Sequence, residues 1–206
     1  MMNSVDKTET GCIVLAGGKG MRFGANKVLQ IFGTEYLLHR VLARVGCLSS
    51  AITIACADEH DDFDIMDHPK LKIISDIYPG KGPLGGIHAG LTASSSYYNL
   101  VVASDMPFLN QDLLDYMIRL SAGFDLVIPR LGNFFEPLHA VYSKGCLAPI
   151  EVLIRQDNLS ILQLLPLVKA RYIEAEDIKR FDPRYLSFFN VNTKSDLAIA
   201  RSLARR

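Results

Sequence analysis

Short apolar runs alternate with amphipathic stretches along most of the chain. "GCIVLA" (11–16), "AITIACA" (51–57), "LKIIS" (71–75), "YYNLVVAS" (97–104) and "FDLVIP" (124–129) are rich in β-branched or aromatic residues. That pattern predicts strands buried on both faces. "PLHAVYS" (137–143) reads as a further strand leading into a helix through 144–155. Between the strands the apolar period lengthens. In "TEYLLHRVLARVG", Leu37, Val41, Leu42 and Val45 share a helical face, with Gly46 as the stop. "GPLGGIHAGLTASS" reads as a turn becoming a small-residue helix. In "NQDLLDYMIRLSAG", Asn110 stands at a cap position and Leu113, Leu114, Met117 and Leu120 line one face. The chain closes with "NLSILQLLPLV", "ARYIEA", "YLSFFNVNT" and a helix, "KSDLAIARSLAR". Strand and helix alternate throughout. The expected fold is therefore α/β: a three-layer sandwich with a mostly parallel sheet, Rossmann-like, in one domain over residues 1–206, with 1–9 flexible.

Composition narrows the chemistry. Apolar residues are 49% and charged residues 21%, and 22 basic side chains balance 22 acidic ones. Nothing provides a field for a long nucleic-acid backbone, so any polyanion bound is small. No window approaches a membrane span, and "MMNSVDKTET" lacks a signal-peptide pattern. A reducing cytoplasm is the expected location. Cys12 and Cys56 read as core residues, and no two of the four cysteines have metal-pair spacing. The acidic "DEHDDFDIMDHP" reads as a solvated connection rather than a metal cluster.

In such sheets ligands lie beyond the carboxyl ends of the strands. The first strand there runs into "LAGGKGMRFGANKVL", which matches neither the Walker A nor the dinucleotide pattern. Its glycines admit close approach of backbone N–H groups to an anion, and Lys19, Arg22 and Lys27 reach oxygens. A solvated loop with incidental basic residues is the alternative. Asp76 is the first polar side chain past the third strand, and Gly80, Gly82, Gly85 and Gly86 follow it. They suit either a backbone closing on a ligand or a turn-rich connection. "NLVVASDMPFL" places Asp105 directly off a buried strand, where it faces the crevice as a Mg²⁺ ligand or caps a helix. Asn190 and Asn192 alternate in an extended segment and can coordinate without adding charge, while Thr193 and Asp196 are spaced as a capping box. His39, His60, His68, His88 and His139 read as surface or packing residues, the last two nearest the candidate ligand segments.

Taken in order, "LAGGKGMRFGANKVL", "YPGKGPLGGIHAGL", "SDMPFL", "PLHAVY" and "FFNVNTKSDL" resemble the molybdenum cofactor guanylyltransferases, over nearly the whole chain. The first motif alone marks a broad group of nucleotidyltransferases; the set is much narrower. The resemblance implies transfer of GMP from GTP to the phosphate of molybdopterin, giving the guanine dinucleotide cofactor and pyrophosphate. It implies that Leu15, Ala16, Gly17 and Gly18 hug the nucleotide, and that Gly20, Arg22 and Lys27 gather the triphosphate. Asp76 and Gly82 would lie at the nucleotide. Asp105 would hold Mg²⁺, with Asn192 completing the metal site, and Arg22, Lys27 and Asp105 would be catalytic. Pterin contacts would come from "GPLGG", "RLGNFFEPLHA" and "FFNVN". Partners would be the two substrates and, transiently, molybdoenzymes or their chaperones. Phe23 stands where the family usually has methionine. Asn26 stands where it usually has aspartate, which removes a carboxylate that would contact the base or orient Lys27. Triphosphate contacts are blind to the base, so cytidylyl transfer to molybdopterin, or nucleotidyl transfer to another phosphorylated metabolite, remains open. A non-catalytic nucleotide-binding escort is a third reading. A dinucleotide oxidoreductase, with Asp58 at the ribose, fits poorly because the glycine spacing is wrong.

Overall fold

The computed structural model describes residues 9–16, 31–33, 35–56 and 71–204. In chain order the elements are β1 (Gly11–Leu15), β2 (Ile31–Phe32), β3 (Glu35–Tyr36), α1 (Leu37–Val45), β4 (Ala51–Cys56), β5 (Leu71–Ser75), α2 (Gly82–Ala93), β6 (Tyr98–Ala103), α3 (Gln111–Arg119), β7 (Leu126–Leu131), β8 (Phe134–Phe135), β9 (His139–Ser143), α4 (Leu147–Arg155), β10 (Ala170–Glu174), α5 (Ala175–Lys179) and α6 (Lys194–Ala204). The main sheet runs β10-β7-β9-β6-β1-β4-β5, with β8 paired to β7. β1 is parallel to both β4 and β6, β4 to β5, and β10 to β7. Among the described strands of this sheet, only β8 and β9 run antiparallel to the rest. The expected three-layer, mostly parallel sandwich is thus what forms.

The two faces of the sheet bury separate apolar layers. Val14, Val102 and Val141 point toward α1, α3 and α5, which contribute Val41, Leu114 and Ile178. Ile13, Val101 and Tyr142 point the other way, toward Ile87 and Leu91 of α2 and Ile150 of α4. Alternation along each strand forces this split, since successive side chains face opposite sides. A third cluster joins Phe32 and Leu37 to Val191, Leu197 and Ala200, fixing the C-terminal segment. Cys12, Cys56 and Cys146 are buried, and burial pushes the Cys146 thiol up to about 12.

Local sequence explains the boundaries. The Asn110 side chain accepts the Leu113 N–H and starts α3. Leu113, Leu114 and Met117 are buried as expected, whereas Leu120 sits half-buried at the helix end. In α1 the buried set is Leu37, Leu38, Val41 and Val45, with Leu38 taking the place expected for Leu42. "GPLGG" is not a turn: α2 starts at Gly82 itself, with Pro83 in the first turn, where its missing N–H costs nothing. The helix expected over 144–155 opens as a tight turn, Lys144–Cys146, whose Gly145 N–H is capped by the Ser143 hydroxyl. β8 is an element the periodicity did not announce, because two residues are too short to show a period. Among the described residues, no helix is long and apolar enough to cross a membrane.

Candidate active site

The carboxyl ends of β1, β4, β5 and β6 lie side by side. Their ladders continue past the strands: Ala16 N–H donates to Ala55 O at 2.9 Å, Asp76 N–H to Cys56 O at 3.1 Å, and Ser104 N–H to Leu15 O at 3.1 Å. These bonds hold Leu15 and Ala16 rigidly, both only 7% exposed, at the centre of the crevice floor.

Asp76 reaches over the first turns of α2. A methyl group added at Gly86 would stand 3.5 Å from Asp76 Oδ1 and 3.1 Å from Leu15 Cδ2. One at Gly85 would stand 3.6 Å from Asp76 Oδ2 and 3.1 Å from Tyr78 O. The two glycines therefore let the helix start close against both Asp76 and Leu15. Gly82, at φ +60°, is exposed at the helix start. The first turn carries no acidic residue and no side-chain cap, so its N–H groups present positive polarity at the crevice.

The loop between Asp76 and α2 is tied to α4 and the segment after it. Tyr78 O–H donates to Glu151 Oε1 at 3.2 Å, and Lys81 Nζ lies 2.8 Å from Asp157 Oδ1. Arg155, beside Glu151 at 2.6 Å, holds that carboxyl below its ordinary range. The Tyr78 ring meets His88 edge-on at 5.1 Å. Burial lowers the His88 pKa, opposed by the charge of Glu151. His88 is thus a packing residue of the loop tether.

Asp105 leaves β6 in a turn held from several sides. Val191 N–H donates to Asp105 O at 3.0 Å, and Arg40 Nε to Pro107 O at 2.9 Å. Asn110 N–H donates to Ser187 Oγ at 3.1 Å and its side-chain amide to Phe181 O at 2.9 Å. The Val191 bond brings Asn192 onto the chain segment beside Asp105, with Val191 buried and Asn192 exposed. The segment is not a strand. Asn190 gives its amide to Phe188 O at 3.1 Å, and this bond separates its role from that of Asn192. Thr193 and Asp196 form the expected capping box: Asp196 N–H to Thr193 Oγ1 at 3.1 Å, Thr193 N–H to Asp196 Oδ2 at 2.8 Å.

His139, at the start of β9, is fully buried with its ring edge-on to Phe188 at 4.9 Å. Burial pushes its pKa down to about 4, against the opposing charge of Asp182. A ring enclosed this way reads as a packing residue against Phe188. The resemblance implied pterin contacts from "RLGNFFEPLHA" without singling out its Glu136. It stands half-buried at the same end of the sheet, and burial raises its pKa. The available signal was one carboxylate set among aromatic, Pro and apolar neighbours in "NFFEPLHA".

The structure therefore gathers Leu15, Ala16, Asp76, Asp105 and Asn192, far apart in sequence, at one edge of one sheet, with Gly82 at the helix start facing it. Gly17, Gly18, Gly20, Arg22 and Lys27 lie outside the described residues, as do Lys19, Phe23, Asn26, Asp58, His60 and His68. Among the described residues no three His, Cys, Asp or Glu side chains group as a metal cage. Asp105 and Asn192 offer hard oxygen donors of the kind Mg²⁺ takes, one or two from protein and the rest from water and phosphate.

The chain has known counterparts. The family model described as "MobA-like NTP transferase domain" matches residues 12–169. The chain belongs to the MobA-like NTP transferase family. A Pelotomaculum thermopropionicum protein named "Probable molybdenum cofactor guanylyltransferase" is 37% identical over 192 residues, covering 93% of this chain and 92% of that protein. A Syntrophotalea carbinolica protein named "Molybdenum cofactor guanylyltransferase" is 31% identical over 186 residues, covering 89% and 87%. The crystal structure of molybdopterin-guanine dinucleotide biosynthesis protein A from Archaeoglobus fulgidus superposes with a TM-score of 0.82 at 30% identity, covering 95% of this chain and 98% of that one. In sheets of this kind ligands generally lie beyond the carboxyl edge, the edge at which Leu15, Ala16, Asp76 and Asp105 gather.

Proposed function

We propose that the chain transfers GMP from GTP to the terminal phosphate of molybdopterin and releases pyrophosphate. The carrying observation is the convergence of Leu15, Ala16 and Asp76 on one side of the crevice with Asp105 and Asn192 on the other, in a chain whose relatives bear the name of that reaction.

An oxygen of the acceptor phosphate attacks the α-phosphorus of GTP. A new P–O bond forms, the bond from the α-phosphorus to the bridging oxygen breaks, and pyrophosphate leaves with the electron pair. The attacking phosphate is already ionised near neutral pH, so the chain need not supply a base. The burial of His88 and His139 agrees with that. Catalysis then rests on alignment and charge stabilisation. The rigid ends of β1 and β6 supply alignment. Arg22 and Lys27 are proposed to offset charge gathering on the leaving pyrophosphate. Asp105 and Asn192 are proposed to hold Mg²⁺, which when bound supplies positive charge against the phosphate oxygens.

The test is pyrophosphate release from GTP, CTP, ATP and UTP, each with and without molybdopterin. Release from GTP that depends on molybdopterin and exceeds that from the other three is expected. Equal or greater release with CTP would reassign the base. Absence of release, with GTP still bound, would favour the escort reading.

A further inference from the structure

β8 and β9 are two halves of one antiparallel return, broken by Glu136, Pro137 and Leu138. Glu136 N–H donates to Pro129 O at 3.1 Å, and His139 N–H donates back to Glu136 O at 3.1 Å. On the other side, Ala103 N–H at the end of β6 donates to Leu138 O at 3.1 Å, and Tyr142 O–H donates to Pro137 O at 2.9 Å. The break is thus rigidly bonded between β7 and the chain leaving β6 toward Asp105. Its one carboxylate, Glu136, is half-buried and makes no side-chain hydrogen bond or ion pair with any described residue. Its charged form is costly there, with burial as the cause. Two residues earlier, Phe134 is 75% exposed, an aromatic surface left open at the same end of the sheet.

A half-buried carboxylate with no side-chain partner among the described residues, held at the carboxyl edge of the sheet, is suited to a ligand that donates to it. Its place in the strand order says which ligand. Under the proposed function, Leu15 and Asp76 mark the nucleotide half, on the β1–β4–β5 side. Glu136 lies on the opposite side of β6, toward β9 and β7, the side that the proposed function leaves for the acceptor. Resting on the proposed function, we infer that Glu136 determines acceptor specificity by accepting the paired N–H donors of a 2-amino-4-oxo-pyrimidine edge, the edge a pterin presents, while Phe134 covers the flat ring. Two parallel N–H···O bonds to one carboxylate match the geometry of that edge and are of the strong, charge-assisted kind. Guanine carries the same pair of donors, and the test separates the two rings.

The full chain and its Glu136→Gln and Glu136→Ala variants would be compared in three ways. In pyrophosphate release at saturating GTP, both variants should raise the KM for molybdopterin by roughly ten-fold or more. Their KM for GTP should stay within about two-fold of wild type. In thermal unfolding near neutral pH, Glu136→Gln should hold or raise Tm, since it removes a desolvated charge. An unchanged molybdopterin KM, a GTP KM rising in step, or a lower Tm for Glu136→Gln would overturn the inference. The third comparison is equilibrium binding of a free pterin, followed by its own fluorescence, which needs no turnover. If wild type fails to turn over but binds the pterin roughly ten-fold more tightly than Glu136→Gln, the reaction assignment falls and the recognition role stands. Equal pterin binding by both proteins overturns the role itself.

Discussion

At the scale of single residues, Asp105, just past the end of β6, and His139, at the start of the adjacent β9, are expected to have opposite duties. Asp105 follows the end of β6 and is proposed to serve the chemistry; His139 is fully buried. Asp105→Asn keeps the shape and the backbone bond to Val191 but removes the charge that would hold a cation. We expect kcat to fall by about 100-fold or more, the scale seen when one electrostatic stabiliser of a transition state is lost. Circular dichroism and Tm should match wild type. Near-normal kcat at saturating GTP and Mg²⁺ would remove Asp105 from the chemistry. His139 should act on stability instead. Its folded pKa of about 4 lies below the ordinary value of 6.5, so the unfolded chain takes up a proton first as pH falls. Stability is unaffected by this group above pH 6.5 and declines as pH drops toward 4, by up to about 3 kcal/mol across the window. His139→Leu should unfold in urea with a shallower loss between those limits. A variant with the same pH dependence as wild type would mean that the ring is not held neutral.

At the scale of elements, α2 is the piece whose position matters most. It packs on β1 through Gly90, where an added methyl would stand 2.5 Å from Ile13 Cγ2 and 2.9 Å from Ile13 Cδ1. Gly90→Ala must displace a fully buried side chain on the strand that carries Leu15. A cost of about 1–3 kcal/mol is expected, the usual range for overpacking a core. The urea midpoint should fall, and the KM for GTP should rise as the end of β1 moves. A midpoint equal to wild type would show that the helix has room to shift without disturbing the strand. The same element shows where sequence reading stops. "GPLGG" looked like a turn because glycine and proline usually break helices. Here proline opens the helix, and Gly85, Gly86 and Gly90 make room for Asp76, Leu15 and Ile13, partners far away in sequence.

At the scale of the whole molecule, the strands of the parallel core, the caps at Asn110 and Thr193, and the emergence of Asp76 and Asp105 from strand ends were legible in the chain. Each depends on a local period or a local side-chain bond. The antiparallel return of β9, the two-residue β8 and the half-buried carboxylate of Glu136 were not. They follow from which strand the chain joins next, and pairing of distant segments leaves no mark in a short window of sequence. The clamp of the C-terminal segment onto Asp105 through Val191 was hidden for the same reason. In the proposed function, fold and chemistry meet at the carboxyl edge, with β6 between the nucleotide half and the acceptor half. The most direct test of that division follows the phosphorus atoms. GTP labelled at the α-phosphate, incubated with the protein, Mg²⁺ and molybdopterin, should pass its label to the pterin product, while label at the γ-phosphate should leave as pyrophosphate. Label from the γ-position on the acceptor, or no label transferred from either position, would contradict the account.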